Sequence, residues 1–445
     1  MKDAGAKDAG FDAGAPADDA TVDALDASIQ RMPIDGSDAG DECSAINPGS
    51  NQGAFDSVWG QHELEALRGC RKFEGDLILG GKDITDLSPL ESLEEVSGRL
   101  AIGTRFPHWR LSAELLPITN LSALAKLRTA GSLELSALQV SDFHDLRALA
   151  EVGVLLLEKL EGPRDLAGLE AVQWTKLQVE ECHNLLTLEG LTASDTVDSL
   201  RLSKNSKLTD LSALQPVHIA RNVSLQEMPV DDLSGLSGLE QITEVINFTS
   251  CSNLVDLTGL GKLDARAIVL VTNPQLRSTA GLRLLGQPEI ELYENEKIAE
   301  LMIGVEEGFE RIQSLRSIRQ PNLSSLQGMK DVKTIGNLSI GGSHVLKDLS
   351  GLEGLTQADG ISLDSNSALV SLTGLGNLSS KLTSFSLSMN ESLTSLRALA
   401  STPGADSGSI TGNSLLPECE VSWLSQIWDL EIESFNNSPS GTCSN

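Results

Sequence analysis

Apolar and polar positions across residues 383–399, TSFSLSMNESLTSLRAL, follow a frame that the rest of the chain repeats. With Asn390 as origin, apolar side chains fall five and three positions earlier, at Phe385 and Leu387, and three, six and nine positions later, at Leu393, Leu396 and Leu399. The first pair alternates with Ser384, Ser386 and Ser388, the period of a strand with one buried face. The second set recurs every third residue, which suits a tight helical or 3₁₀ turn. Asn390 sits where strand becomes turn. Its amide carries two donors and an acceptor, enough to bond the backbone of neighbouring coils in a stacked ladder.

The same frame fits Asn366, Ser343 and Asn205, and Asn413, Asn295, Asn273 and Asn222 keep most of it. Steps from Ser343 through Asn366 and Asn390 to Asn413 are about 23 residues, the range of a leucine-rich solenoid. One coil buries little alone, so the core exists only when coils stack. Roughly fourteen coils at about 4.8 Å per strand predict a parallel sheet on the order of 65 Å long. The convex segments carry glycine, as in LTGLGNL at 372–378, and predict short helical turns.

Earlier coils are looser. Leu77/Leu79, Leu100/Ile102, Leu133/Leu135 and Leu155/Leu157 read as successive inward pairs. An excursion at 103–117 holds Phe106, His108 and Trp109. The short step from Asn205 to Asn222, followed by a long one to Cys251, reads as a short coil and then a bulged one. A second insertion, 304–313, blurs the frame near Gln320. Insertions in a solenoid become loops at an edge or face, where partners often bind.

The ends differ from the middle. Phe55, Val58, Trp59, Leu64 and Leu67 suit a short amphipathic helix covering the open core before a first strand at 75–79, and Trp423, Leu424, Ile427 and Trp428 suit its counterpart at the far end. The expected division is a tether at 1–42, a cap at 43–74, the solenoid at 75–413 and a cap at 414–445. The tether repeats Asp-Ala-Gly, is rich in acids and has Phe11 as its only aromatic, so it predicts a disordered, charge-extended segment. Its aspartates lack the spacing of a calcium loop.

Cys43 with Cys70, and Cys419 with Cys443, bracket the repeat block, as disulfides of exported domains would; each would close a loop worth roughly 3–4 kcal/mol. Free thiols in a reducing cytosol are the other reading. Cys182 and Cys251 take the place that Asn holds elsewhere, which reads as a small buried thiol. The string Cys182-His183-Asn184 names a thiol, an imidazole and an amide, but adjacent residues at a strand end diverge and no oxyanion hole is near. No catalytic site is expected. The six histidines are scattered without metal-ligand spacing, so neither a metal nor another cofactor is expected.

A net charge of −30 argues against nucleic acid, whose phosphates need Lys and Arg. No apolar run approaches the roughly 18 residues of a membrane span. The start, MKDAGAKDAG, has no apolar signal core.

The string CRKFEGDLIL from Cys70 resembles the opening of receptor L domains, where a cysteine and a Gly-x-Leu-x-Ile strand follow a capping helix. IGNLSI from Ile335 looks like the same strand signature, with Gly336 as its glycine. The tail from Asn413 through Cys419 to Cys443 is similar to the closing cap of bacterial surface proteins built from L-domain-like repeats. Those proteins often carry an Asp-Ala-Gly tract behind a lipoprotein signal, and residues 1–42 resemble such a tract. The implied fold is α/β: a right-handed leucine-rich, L-domain-like solenoid with one long parallel sheet and short convex helical turns, capped at both ends. The implied location is extracellular or the outer surface, with a lipid anchor on a segment missing from this chain. A start assigned too far downstream, or a trimmed chain, would account for the missing signal.

Three function classes follow: a non-enzymatic surface recognition or adhesion protein that binds a protein or glycan on its sheet face, a structural surface component without a specific ligand, and an intracellular leucine-rich scaffold. Positions two, four and six before the ladder residue point out from the sheet. Late coils place Ser384, Ser386, Ser388, Ser362 and Asp364 there; the coils of Asn273 and Asn295 place Val269, Val271, Glu289, Glu291 and Tyr293, the only tyrosine. An apolar pair beside an aromatic and two carboxylates suits a contact patch, which Asn247 and Thr249 would extend and the 304–313 insertion would wall. Ordinary β-branched filler on a solvated sheet is the bland alternative.

Overall fold

The chain divides into two units, Met1–Asp38 and Ala39–Asn445. The structure is a computed structural model that describes residues 42–44, 55–58, 60–103, 115–309 and 311–438, all in the second unit. The excursion residues Phe106, His108 and Trp109, together with Trp59 and Cys443, lie outside the described residues.

The solenoid is built on a 21-stranded sheet in which neighbouring coils pair in parallel. Two inward stacks run along it. One links Leu77, Leu100, Leu133, Leu155, Leu177 and Leu200 and continues to Ile361 and Phe385. Its partner links Leu79, Ile102, Leu135, Leu157, Val179 and Leu202 and continues to Leu363 and Leu387. These side chains are buried. The register follows from the period-2 pattern, because a one-residue slip would turn each leucine to solvent. The second stack is broken once, at Ser317, which is fully buried.

Three residues past each second inward side chain comes the ladder position. Asn205, Asn273, Asn295, Asn366, Asn390, Asn413 and Asn437 fill it and are all buried. Each amide donates to the end of an inward stack in the preceding coil, as Asn366 Nδ2 does to the Ile340 carbonyl at 2.9 Å. Each Oδ1 accepts the backbone N–H of the preceding ladder residue, as Asn366 Oδ1 does from Ser343 at 3.1 Å. Cys182 and Cys251 are free and buried there. Their thiols donate to the carbonyls of Leu157 and Leu225, the groups an Asn amide would meet. Leu138 and Leu160 hold the position in earlier coils.

Asn222 does not belong to the ladder. It lies in the strand Ile219–Gln226, and the ladder residue of that coil is Met228, buried and touched by Asn205 Nδ2. The steps on either side of Met228 are therefore even and no coil is short; the bulge lies within the strand Gln241–Thr249, where the step from Ile242 to Val245 faces the shorter steps Ala220 to Asn222 and Ala265 to Ala267. A thioether accepts only weakly, but its apolar stem fills the space an amide takes elsewhere. Gln320 is also a ladder residue, its Oε1 accepting the Asn295 N–H at 2.9 Å.

The residue before each ladder position adopts a left-handed backbone, from Ala137 (φ 56°) and Lys159 (φ 51°) through Thr272 (φ 50°) to Met389 (φ 52°). Such a conformation costs a non-glycine residue roughly 1–2 kcal/mol. The turn is held because its N–H reaches the next coil: Lys159 donates to the Glu180 carbonyl at 2.9 Å and Thr272 to that of Tyr293 at 2.9 Å. On the convex side the turns are short, such as the 3₁₀ segments Ser122–Leu124 and Ser212–Leu214. Others run through glycine. Gly374 has φ 111°, and a Cβ there would overlap the Leu349 carbonyl of the preceding coil.

Both ends are closed. Phe55–Val58 is a strand paired with Asp76–Leu79, not part of a helix; its backbone extends the sheet, and helix is confined to Gln61–Leu64 and a 3₁₀ turn at Glu65–Leu67. Cys43 is bonded to Cys70, their Cα atoms 5.9 Å apart, and Cys419 is disulfide-bonded as well. At the far end the helix Glu418–Trp428 buries Val421, Leu424 and Trp428, while Ile427 faces solvent. Trp428 meets Phe385 edge-on at 5.2 Å, and the Arg397 guanidinium lies 4.2 Å from the Trp423 ring. The buried Glu420 carboxylate accepts the Leu396 N–H at 2.9 Å and pairs with Arg397 Nε at 2.9 Å, which fixes this cap to the last coils.

Candidate functional site

The outward face of the sheet is mostly small or charged. Its composition changes over the strands Gln241–Thr249, Lys262–Val271 and Glu289–Tyr293, which carry all seven candidate binding residues. The register sets Asn247 beside Val269 and Val269 beside Glu291, and it sets Thr249 beside Val271 and Val271 beside Tyr293. Glu289 is registered with Ala267, and Ala267 with Val245. The seven therefore form one contiguous patch, with strands about 4.8 Å apart. Thr249 Oγ1 donates to Asn247 Oδ1 at 2.8 Å, which orders its polar corner.

The next strand, Ile312–Ile318, completes the patch with two residues missing from the sequence expectation. Arg316 is registered with Glu291, and Ile318 with Tyr293. Arg316 Nη1 donates to the Tyr293 hydroxyl at 3.2 Å and lies 3.5 Å from Glu291 Oε1. The Tyr293 hydrogen bond first, then the nearby charges of Glu291 and Glu289, raise Arg316 above the ordinary arginine value against the effect of burial. The ring of Tyr293 is thus held at its polar end while its body stands among Val271 and Ile318. An amphipathic aromatic held this way loses little freedom on contact with a partner. Arg316 and Ile318 were hidden because the insertion shifts the spacing and Ser317 breaks the inward pattern; counting back from Gln320 recovers both.

The described part of the 304–313 insertion begins with a strand. Gly304–Phe309 is a strand paired with Arg283–Gly286, upstream of Glu289 in the same coil. The Glu306 carboxylate joins Lys262 Nζ at 2.9 Å and also Arg283.

A groove of about 630 Å³ runs along the edge where the strands end. Thr272 and Gly342 lie on its inner wall; Pro274, Glu296, Pro321 and His344 form the outer one. Between Thr272 and Gly342 the inner wall carries an ion pair, Arg319 Nη1 to Glu294 Oε1 at 2.6 Å.

Other candidate chemistry is not assembled. Burial pushes the Cys182 and Cys251 thiols up to about 12, so each is a neutral packing group. Asn184 Nδ2 is engaged by the Glu161 carbonyl and His183 is exposed. No group of three His, Cys, Asp or Glu is placed to hold a metal among the described residues. No described helix is long and apolar enough to cross a membrane.

The parallel register, the two buried stacks and the asparagine ladder define a leucine-rich-repeat solenoid. Neither a family model nor a curated protein sequence matches the chain. Among solved structures, it is similar to an internalin from Listeria monocytogenes, with 15% identity over 79% of this chain and 85% of that one and a TM-score of 0.30. It is similar to a leucine-rich-repeat protein from Leptospira interrogans, with 14% identity over 85% of this chain and 94% of that one and a TM-score of 0.34. It is similar also to the functional domain of InlJ from Listeria monocytogenes, which includes a cysteine ladder, with 16% identity over 81% and 72% of the two chains and a TM-score of 0.26. Likeness of this degree says nothing of a partner.

Proposed function

We propose that this solenoid is a recognition protein that binds a protein partner across the sheet face centred on Tyr293, in an oxidising setting outside the cytosol. The observation that carries the reading is the local change of the face: Val269, Val271 and Ile318 gather around an aromatic tied to Arg316, on a sheet whose other outward positions are largely serine and charge. Interface cores favour such aromatic and arginine anchors over lysine- and serine-rich surface. The bonded Cys43, Cys70 and Cys419 support the oxidising setting.

The test presents immobilised full-length chain with separated surface-protein fractions and with a glycan array. The expected result is saturable binding to a protein, weakened about tenfold or more by Tyr293→Ala with an unchanged unfolding midpoint. Ser386→Ala should change neither. A carbohydrate as the ligand would overturn the partner class, and unaltered binding by Tyr293→Ala combined with Val271→Ser would overturn the site.

A further inference from the structure

We propose that the edge groove takes a basic side chain, lysine or arginine, from the protein that engages the sheet face. The inference rests on that reading and adds the chemistry the partner must carry.

The two surfaces are continuous. Tyr293 on the sheet is followed by Glu294 in the groove, and Ile318 by Arg319. A chain segment lying over the tyrosine therefore reaches the groove by crossing one residue. At this edge Gly342 brings no side chain and Thr272 a short one, with Glu294 and Arg319 between them.

The groove presents few backbone donors. The N–H groups of Thr272, Glu294 and Arg319 are already donated to the next coil at 2.9, 3.1 and 2.8 Å, and Pro274 and Pro321 have none. Recognition falls to side chains. Nearby cationic groups are occupied: Arg319 by Glu294, and Lys297 Nζ by Gln275 Oε1 at 2.6 Å. Glu296 differs. It is exposed, and among the described residues only its backbone carbonyl is engaged, by Asn322 Nδ2 at 2.7 Å.

Pro274, Glu296 and Pro321 each follow the ladder residue of successive coils, so Glu296 holds the position between two prolines along the groove. An acidic residue between two prolines matches a basic side chain in both its parts. The methylene stem lies along the rings and the cationic head meets the charge. The chain as a whole has a net charge of −30, which favours association with a cationic partner.

A random decapeptide library selected on the full chain tests the proposal. Peptides from the wild type should share an apolar residue and, at a fixed spacing from it, Lys or Arg. Selection on Glu296→Gln should keep the apolar preference and lose the basic one, and selection on Glu296→Lys should replace it with Asp or Glu. A single wild-type peptide should bind Glu296→Gln about tenfold more weakly, and the same peptide with norleucine at the basic position should bind both forms alike. A consensus whose basic residue persists on Glu296→Gln, or one without a basic residue, overturns the groove while leaving the sheet face standing. No consensus at all overturns both. The unfolding midpoints of the variants should equal that of the wild type, so that loss of binding is not loss of fold.

Discussion

Asn366 shows how much one amide does in this fold. It accepts the Ser343 N–H at 3.1 Å and donates to the Ile340 carbonyl at 2.9 Å and to Asn390 Oδ1 at 3.2 Å. Asn366→Leu would leave a buried N–H and a buried carbonyl unpaired, at a cost of roughly 2–4 kcal/mol. Asn366→Cys should cost less, since Cys251 already donates to the corresponding carbonyl at 3.5 Å. Ser343 is the converse case. Its hydroxyl and that of Ser317 are buried without a hydrogen-bond partner among the described residues. By equivalence with Asn366, an asparagine at 343 would reach the Ser317 carbonyl and the Gln320 N–H, so Ser343→Asn should stabilise by about 1 kcal/mol. Urea unfolding of the three variants is the check, and equal midpoints would contradict the ladder account. At this scale the sequence was readable wherever the ladder residue is an amide in an even frame. Met228 escaped because a thioether resembles core filler, and Asn222 was mistaken for its neighbour because an outward strand asparagine has the same composition as a ladder one.

Convex turns are capped by aspartates. Asp142 accepts the His144 N–H at 3.0 Å, Asp210 that of Ser212 at 2.9 Å and Asp232 that of Ser234 at 2.8 Å. These backbone hydrogen bonds hold all three carboxyls below the ordinary aspartate value. A carboxyl lowered in the folded state adds stability that is fully present above the unfolded value near pH 4 and disappears as pH falls through the folded one. Thermal unfolding should therefore shift to lower temperature on acidification through that window. Asp210→Ala should be less stable than wild type at neutral pH, and the gap should narrow as pH falls below the unfolded aspartate value and through the lower folded one, until both lack the charged cap; a constant gap would argue against this origin. The turns themselves were legible from the three-residue spacing of leucines. The first cap was not, because Phe55–Val58 is too short for its period to separate strand from helix. In the last cap the buried stripe is Val421, Leu424 and Trp428, and Ile427 lies one step off it.

For the whole molecule, repetition is what made the fold readable: a single weak frame, repeated coil after coil, specifies one register and one hydrophobic face. The patch is not repeated, and only its apolar half departs visibly from the serine-rich rule. Its anchoring residue, Arg316, comes after an insertion that breaks the frame, so it is reached only by counting back from Gln320 once that residue is known to hold the ladder position. The central claim is that this face, and not the rest of the solenoid, meets the partner. Tyr293 is the only tyrosine in the chain, so full-length protein grown with 3-fluorotyrosine gives a single fluorine resonance from the middle of the patch. Titration with the bound partner should shift or broaden that resonance with the same saturation point as binding measured independently. Saturable binding that leaves the resonance unmoved would contradict the account.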